Sequence, residues 1–417
     1  MNMNGVTANG GIHPALHRAD SPFVLASSAS FPEHCYTADE VMEACVRQHN
    51  FPPAAEKFAR RVFPATSVKT GNIALPPEQL GMPMDRETFR RHLHTALKDL
   101  SLKACREAVA DWGGSFSDIT HIVWATMSSV VDVPSMDCVL VNELKLKPTV
   151  RRLAVQQMGC LSGFRCLNLA AELSINSPAA RILVCVADIR SGLQNQLPIN
   201  EDGSYSKAAV LSCALFRDAA SAVIVGSRPR HFERPRAEWV TGASLLAMGS
   251  LDVVTSTDGN SNSIHWNSDM RMPPLVEKET PEIIRELVSG LDFEIAADDT
   301  QFVVHTGGPA ILTGTQNALG ITAEQMQASW DFMESHGNTS GSSNLAILHH
   351  EFTRAPTGPF RHYIVCIAGG PGVCIEASLL RRIQRPMAGQ NGHIKADMHN
   401  LAARQTVSVP APFTAQA

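Results

Sequence analysis

Three residues in this chain pair reactive side chains with local settings that suit covalent chemistry. Cys160 lies in "VQQMGCLSGFRCLNLAAEL" (155–173), between an apolar lead-in and a run patterned as a helix. A thiol at a helix start meets free N–H groups and the positive end of the macrodipole, which favour its anion. Gly159 permits a strained turn there, and Gly163 permits close approach of a ligand or neighbouring backbone. The competing reading is a small core residue, the usual place of a free cysteine. His305 in "FVVHTGGPAIL" ends an apolar strand just before a helix start, where α/β folds carry their active residues. A structural histidine beside a turn is the alternative. Asn338 in "ESHGNTSGSSNLAIL" sits in a turn of small residues. An asparagine there either caps a helix, adopts left-handed backbone, or donates its amide to an oxyanion. One thiol, one imidazole and one amide at strand–turn–helix junctions suit acyl transfer: a thiolate attacks a thioester and the other two stabilise negative charge.

These groups need elements to hold them. Apolar runs rich in β-branched residues read as buried strands: "ITHIVWAT" (119–126), "TVRRLAVQ" (149–156), "ARILVCVAD" (180–188), "ASAVIVG" (220–226), "TQFVVHTG" (300–307), "HYIVCIAGG" (362–370) and "VCIEASLL" (373–380). Helical patterns lie between them. The run 85–113 begins with acidic residues and ends in Gly-Gly, and 161–176 and 280–291 are similar. Strands alternating with helices give an α/β class. The second half also echoes the first. "VQQMGC–LSGFRCLNLAAEL" and "FVVHTGG–PAILTGTQNALG" share a strand–turn–helix order. Each half then ends in a strand pair: "ILVCVADI" with "ASAVIVG", and "NLAILHHEF" with "HYIVCIAGGPGVCIEASLL". The order implies a tandem duplication.

The chain has 417 residues, 44% hydrophobic and 18% charged, enough for a large core in two fused halves. A net charge of −5 points to neither nucleic acid nor an anionic membrane as partner. The ten cysteines form no CxxC knuckle, so neither zinc nor a disulfide framework is expected. Reduced thiols of a cytoplasmic protein are the simpler reading. No signal peptide pattern and no membrane-spanning run of about 18 apolar residues is present. Residues 1–20 and 386–417 read as loose tails around two halves, 21–228 and 229–385.

Five motifs in order resemble those of type III polyketide synthases, the chalcone synthase-like branch of the thiolase-fold condensing enzymes. They are "QQMGCLSG", "ALFRDAASAVIVG" (214–226), "VVHTGGPAIL", "SHGNTSGSS" and "AGGPGVCIEASLL" (368–380). The resemblance covers roughly residues 20 to 385 and implies a thiolase-like fold, duplicated and layered αβαβα. It implies that Cys160 carries the starter acyl group and the growing chain as a thioester. His305 would pair with the thiolate, and with Asn338 it would polarise the malonyl thioester carbonyl. Decarboxylation would then yield an enolate that attacks the Cys160 thioester. Malonyl-CoA and a starter acyl-CoA are the implied partners, with no metal or organic cofactor. Phe216 matches the family's gate between CoA tunnel and cavity. Lys57 and Arg60 match cations that contact CoA phosphates in the family; a third such position falls at Pro64, where Lys69 would contribute instead. Val133 matches a residue that reaches the partner subunit's cavity, which implies a homodimer. A solvated helix face is the plain alternative for the cations, and a core aromatic for Phe216.

The chain also departs from the family. Gly369 replaces a phenylalanine in the loop 368–372, and Met270 and Met272 stand where a second gate phenylalanine has no match. Leu193 falls near a position often threonine in plant enzymes, and Ser340 keeps a small residue after Asn338. Fewer aromatic and more aliphatic walls suggest a cavity for a long alkyl chain, hence a fatty acyl- or β-ketoacyl-CoA starter and an alkyl pyrone or resorcinol product. The wording of "QQMGCLSGFR" leans towards fungal or microbial members. The rival readings are a β-ketoacyl synthase III that extends once, and a non-catalytic acyl-CoA-binding protein of the same fold. A hydroxymethylglutaryl-CoA synthase and a cysteine hydrolase stand further off. The position of Cys160 beside His305 predicts a depressed thiol pKa.

Overall fold

The central strands are apolar on both faces because both faces are covered. β6 and β7 below are buried along their whole length, and their runs carry no polar alternation. In the computed structural model, residues 21–82, 84–128, 133–190, 204–258, 264–355 and 358–383 are described. The strands are β1 (Pro22–Ser30), β2 (Cys35–Thr37), β3 (Thr70–Asn72), β4 (His121–Thr126), β5 (Arg151–Gln156), β6 (Ile182–Asp188), β7 (Ala219–Ser227), β8 (Ala237–Leu246), β9 (Val254–Asp258), β10 (Ile264–Ser268), β11 (Thr300–Val304), β12 (Tyr363–Gly370) and β13 (Cys374–Arg382). The helices are α1 (Ala38–His49), α2 (Pro53–Ala65), α3 (Arg86–Trp112), α4 (Met136–Glu143), α5 (Ser162–Ile175), α6 (Lys207–Leu215), α7 (Met272–Val288), α8 (Pro309–Leu319), α9 (Gln327–His336) and α10 (Ser342–Thr353).

Nine strands form one sheet in the order β11-β12-β13-β8-β1-β7-β6-β4-β5. β6 and β5 flank β4 in parallel, as β12 flanks β11, and the remaining pairs are antiparallel. The halves join through a short β1–β8 register, Phe23 with Glu238 and Val24 with Ala237. Alternation along the strands assigns the layers. Ile182, Val184 and Val186 of β6 pack with α5 and α10, whereas Leu183, Cys185 and Ala187 pack with α3. Val303 of β11 joins the first cluster, while Phe302 and Val304 face α7 and α8. The central helices α5 and α10 thus lie between the two half sheets, with α3 outside one and α7 and α8 outside the other. This is the expected αβαβα arrangement.

Caps fix the long helix where its sequence ends it. Asp85 accepts the N–H of Thr88, and Gly113 closes the other end with φ of 76°. One expected strand is a helix: "NLAILHHEF" falls in α10. Its residues 342–348 are all buried because α10 is covered on every side, so no polar face marks the helical period. The true partner of the β6–β7 pair is β12–β13. No helix among the described residues is long and apolar enough to cross a membrane.

Candidate active site

The turn that presents Cys160 depends on glycine. Gln157 and Gly159 take φ values of 64° and 63°. A Cβ on Gly159 would stand 2.5 Å from Cδ of Pro371, in the loop between β12 and β13. Gly159–Leu161 form one 3₁₀ turn that runs into α5, so Cys160 does sit at a helix start. Asn344 of α10 donates from Nδ2 to the Cys160 carbonyl at 2.8 Å. The two helix starts touch: a Cβ on Gly163 would lie 2.5 Å from the Gly341 carbonyl, and one on Gly341 would overlap Ser162 Oγ.

Asn338 is held by its backbone and by one end of its amide. Its N–H donates to Leu215 O and its carbonyl accepts from Arg217 N, both at 2.9 Å, forming a short parallel bridge to Phe216. Its Oδ1 accepts the N–H of Ser340 at 2.8 Å, leaving the NH₂ end to donate. That side chain is among the groups that oppose the rise of the Cys160 thiol pKa. Ser340 Oγ lies 4.0 Å from the same sulfur.

His305 follows β11 and is 1% exposed. Its backbone N–H donates to Ile367 O at 2.9 Å, and Thr306 Oγ1 donates to Gly337 O at 2.8 Å, tying the histidine turn to the asparagine turn. Nδ1 lies 2.9 Å from Ser343 Oγ, and that hydroxyl donates to Ser340 O at 2.5 Å. The one hydroxyl proton being spent, the network assigns the ring proton to Nδ1 and a lone pair to Nε2. Nε2 is buried and has no partner among the described residues. Cys160 and His305 meet through Asn344, which bonds the cysteine carbonyl and lies beside the imidazole.

The resting charges differ from the expected ion pair. Burial pushes the Cys160 thiol up to about 11, with Asp188 adding to the rise and Arg190, Ser340 and Asn338 opposing it. Burial likewise holds His305 down to about 4, opposed by the Asn344 amide. Both shifts favour the neutral forms, thiol and imidazole, because desolvation of each charged form outweighs the helix-start field that suggested a depressed thiol.

Two residues that the motifs did not flag complete the cluster. Asp188, at the end of β6, accepts from Met127 N at 2.6 Å, Ser128 Oγ at 3.3 Å, Thr126 Oγ1 at 3.2 Å and, across the halves, Gly341 N at 2.9 Å. Burial raises the Asp188 pKa, and Arg190, Met127, Ser340 and Thr126 oppose the rise. Arg190, two residues on, is 6% exposed and places its guanidinium 4.9 Å from the centre of the Phe216 ring. An acid and a base closing an all-apolar strand in "ILVCVADIR" were the available signal.

The other anticipated residues fall as follows. Phe216 is buried and ends α6, beside Asn338. Gly369 lies in β12 under α7, where a Cβ would meet Val276 at 3.0 Å and Met272 at 3.5 Å. Met270 is 81% exposed just before α7, and Val133 is 91% exposed; neither joins the cysteine cluster. Leu193 lies outside the described residues. Arg60 pairs with Glu43 at 2.8 Å and Glu56 at 2.7 Å, and Lys69 pairs with Glu334 at 2.5 Å. Lys57 is exposed on α2.

The sequence profile of chalcone and stilbene synthases, N-terminal domain, matches residues 15–229, and that of their C-terminal domain matches residues 253–384. The chain belongs to the chalcone and stilbene synthase family. It is a type III polyketide synthase, an acyltransferase of the condensing class. "Type III polyketide synthase 10" of Oryza sativa subsp. japonica is 29% identical over 389 residues, which cover 87% of this chain and 92% of that protein. "Probable polyketide synthase 1" of Dictyostelium discoideum is 27% identical over 380 residues, and the chain spans only 12% of its length. Among solved structures, CsyB complexed with CoA-SH superposes with a TM-score of 0.80 at 25% identity, covering 87% of this chain and 100% of that one. The fungal type III polyketide synthase ORAS shares the fold at a TM-score of 0.79 and 23% identity, with the same coverage. Within this synthase Arg217 follows Phe216 in "ALFRD". Its buried stem runs over Gly71, where a Cβ would lie 2.5 Å from Arg217 Cγ.

Proposed function

We propose that this synthase extends a CoA-linked starter by repeated decarboxylative condensation with malonyl-CoA, using Cys160 as the thioester carrier. The observation that supports the reading is the meeting of two helix starts, with Ser340 Oγ 4.0 Å from the Cys160 sulfur and its N–H bound to Asn338 Oδ1. The thiol proton passes to Nε2 of His305, whose lone pair is set by the Nδ1 contact to Ser343. The thiolate attacks the starter carbonyl and expels CoA, which takes a proton from water. His305 then donates from the newly protonated Nε2, together with Asn338, to the malonyl thioester oxygen. Loss of carbon dioxide leaves its electron pair in an enolate held by those donors. The enolate carbon attacks the Cys160 thioester, forming a carbon–carbon bond and releasing the thiolate for the next round.

For the starter we propose a fatty acyl- or β-ketoacyl-CoA, with an alkyl pyrone or resorcinol-type product. Aliphatic Val276 and Met272, rather than an aromatic ring, stand over Gly369 and support this reading. Of the three CoA-phosphate cations, Lys57 is the best placed, since Arg60 and Lys69 are engaged by carboxylates. A homodimer is supported by β5, which is the outermost strand and exposes Leu153 at 40%, with Met158 beside it at 36%. Light scattering on the purified chain tests the dimer.

The experiment for the activity is incubation with labelled malonyl-CoA and acyl-CoAs of graded length, with products read by mass. Several condensations on a long-chain starter are expected, and Cys160→Ala is expected to form neither acyl adduct nor product. A strong preference for coumaroyl-CoA rejects the starter. A single condensation rejects iteration, and product from Cys160→Ala rejects the nucleophile.

A further inference from the structure

Arg190 is an unusual group to find behind a gate aromatic. The residue lies at the C-terminal end of β6, and its backbone N–H donates to Asp218 Oδ1 at 2.5 Å. The guanidinium is buried and stacks on Phe216. Phe216 in turn pairs with Asn338, which binds Ser340 N–H through Oδ1, and Ser340 Oγ lies 4.0 Å from the Cys160 sulfur. Arg190, Phe216, Asn338 and Cys160 form one contiguous cluster, although they come from four separate stretches of chain.

The groups facing the sulfur are few. Arg190 and Asp188 come from the end of β6, and Asn338 and Ser340 from the turn before α10. His305 reaches that turn from β11 through Ser343 and Asn344. Asp188 already accepts from Met127, Ser128, Thr126 and Gly341. Its negative charge opposes a thiolate, and its saturated oxygens cannot also serve the sulfur. His305 is neutral until it takes the thiol proton. Among the described residues, Arg190 is therefore the permanent cation that acts on Cys160.

We propose that Arg190 is a positioning residue for the condensation, a fixed cation that supports the ionised Cys160 sulfur from behind the Phe216 gate. The proposal rests on Cys160 being the nucleophile. The guanidinium cannot lose its proton and is held by the aromatic face, so its field is present before any substrate binds. It lowers the cost of the thiolate while His305 moves the proton. This agrees with Arg190 being the strongest influence that opposes the rise of the thiol pKa. Each charge also offsets the other's desolvation, since Cys160 acts back on Arg190 in the stabilising direction.

The test reads carbamidomethylation of Cys160 by peptide mass spectrometry after timed iodoacetamide exposure across pH, in the full chain. Peptide-level reading separates Cys160 from the other nine thiols. Arg190→Gln is expected to raise the midpoint by about one pH unit or more, the usual effect of losing a nearby opposite charge. Arg190→Lys is expected to keep it within a few tenths of a unit. An Arg190→Gln midpoint equal to that of the native protein overturns the proposal. A lysine variant that shifts as far as the glutamine variant also overturns it, because charge is then not the cause. Should Arg190→Gln fail to fold, Arg190→Met removes the same charge and is scored by the same rule. Acyl-adduct formation on the native protein is measured alongside: its absence sinks the nucleophile, whereas an unmoved midpoint with a normal adduct sinks only the role of Arg190.

Discussion

The helices α5 and α10 begin against each other, but the turns that lead into them are built on opposite plans. The turn before α5 leaves an exposed edge strand, passes through two left-handed residues and delivers Cys160 with partial solvent access. The turn before α10 and the first turn of the helix are sealed, with Asn338, Thr339, Ser340, Ser342, Ser343 and Asn344 each 2% exposed or less. Their polar groups bond one another: Ser340 N to Asn338, Ser342 Oγ to Thr339 O, and Ser343 Oγ to Ser340 O. On the mechanism proposed above, the difference separates two requirements of acyl transfer. A carrier thiol must be reached by incoming thioesters. Donors for a developing oxyanion act best when already fixed, because they then need no reorganisation.

The comparison can be broken at several points. Asn338→Ala removes a donor from the sealed turn and is expected to cut product formation about 10²–10³-fold, with Cys160 still labelled by iodoacetamide. Loss of labelling as well would mean that the turns are not separable. Gly163→Ala drives a methyl group into the Gly341 carbonyl and Asn344 Cβ, neither of which can step aside. We expect a loss of about 3 kcal/mol in urea unfolding.

Acid should act through the sealed side. His305 has its folded pKa lowered to about 4, below the ordinary 6.5 or so of an unfolded histidine. Its neutral burial contributes stability above the unfolded value, and that contribution is lost as pH falls from there towards 4. The loss is at most about 3 kcal/mol. Melting curves at pH 7 and pH 4.5 should converge in His305→Gln relative to the native protein. They should not converge fully, since burial also holds His336 to about 4. The smallest effect is expected for Gly341→Ala, about 1 kcal/mol, because the new methyl meets first the Ser162 hydroxyl, which can rotate. Equal losses at Gly163 and Gly341 would show that the two helix starts are packed alike.

Much of this was legible in the letters. The strands at 119–126, 180–188 and 300–304 were marked by β-branched runs, and α3 by Asp85 and Gly113 at its ends. The turns carrying Cys160, His305 and Asn338 were marked by glycines that the packing now explains. β1 and α10 were not legible as such. In "PFVLASSAS" serines dilute the apolar signal, and in α10 burial on all sides erases the helical period. Asp188 and Arg190 passed unnoticed because spacing along the chain does not report what lies across a sheet. Gly369 was read only as a missing aromatic; that α7 sets Val276 and Met272 over it is a matter of packing that the letters do not carry.

Asp188 draws its hydrogen bonds from both duplicated halves, Met127 in the first and Gly341 in the second. Pulling the halves apart at the reaction centre would strip a buried carboxylate of its donors, a steep penalty for any breathing motion there. On the mechanism proposed above, a growing chain would have to be accommodated around this anchored carboxylate by movement of side chains rather than of the two halves.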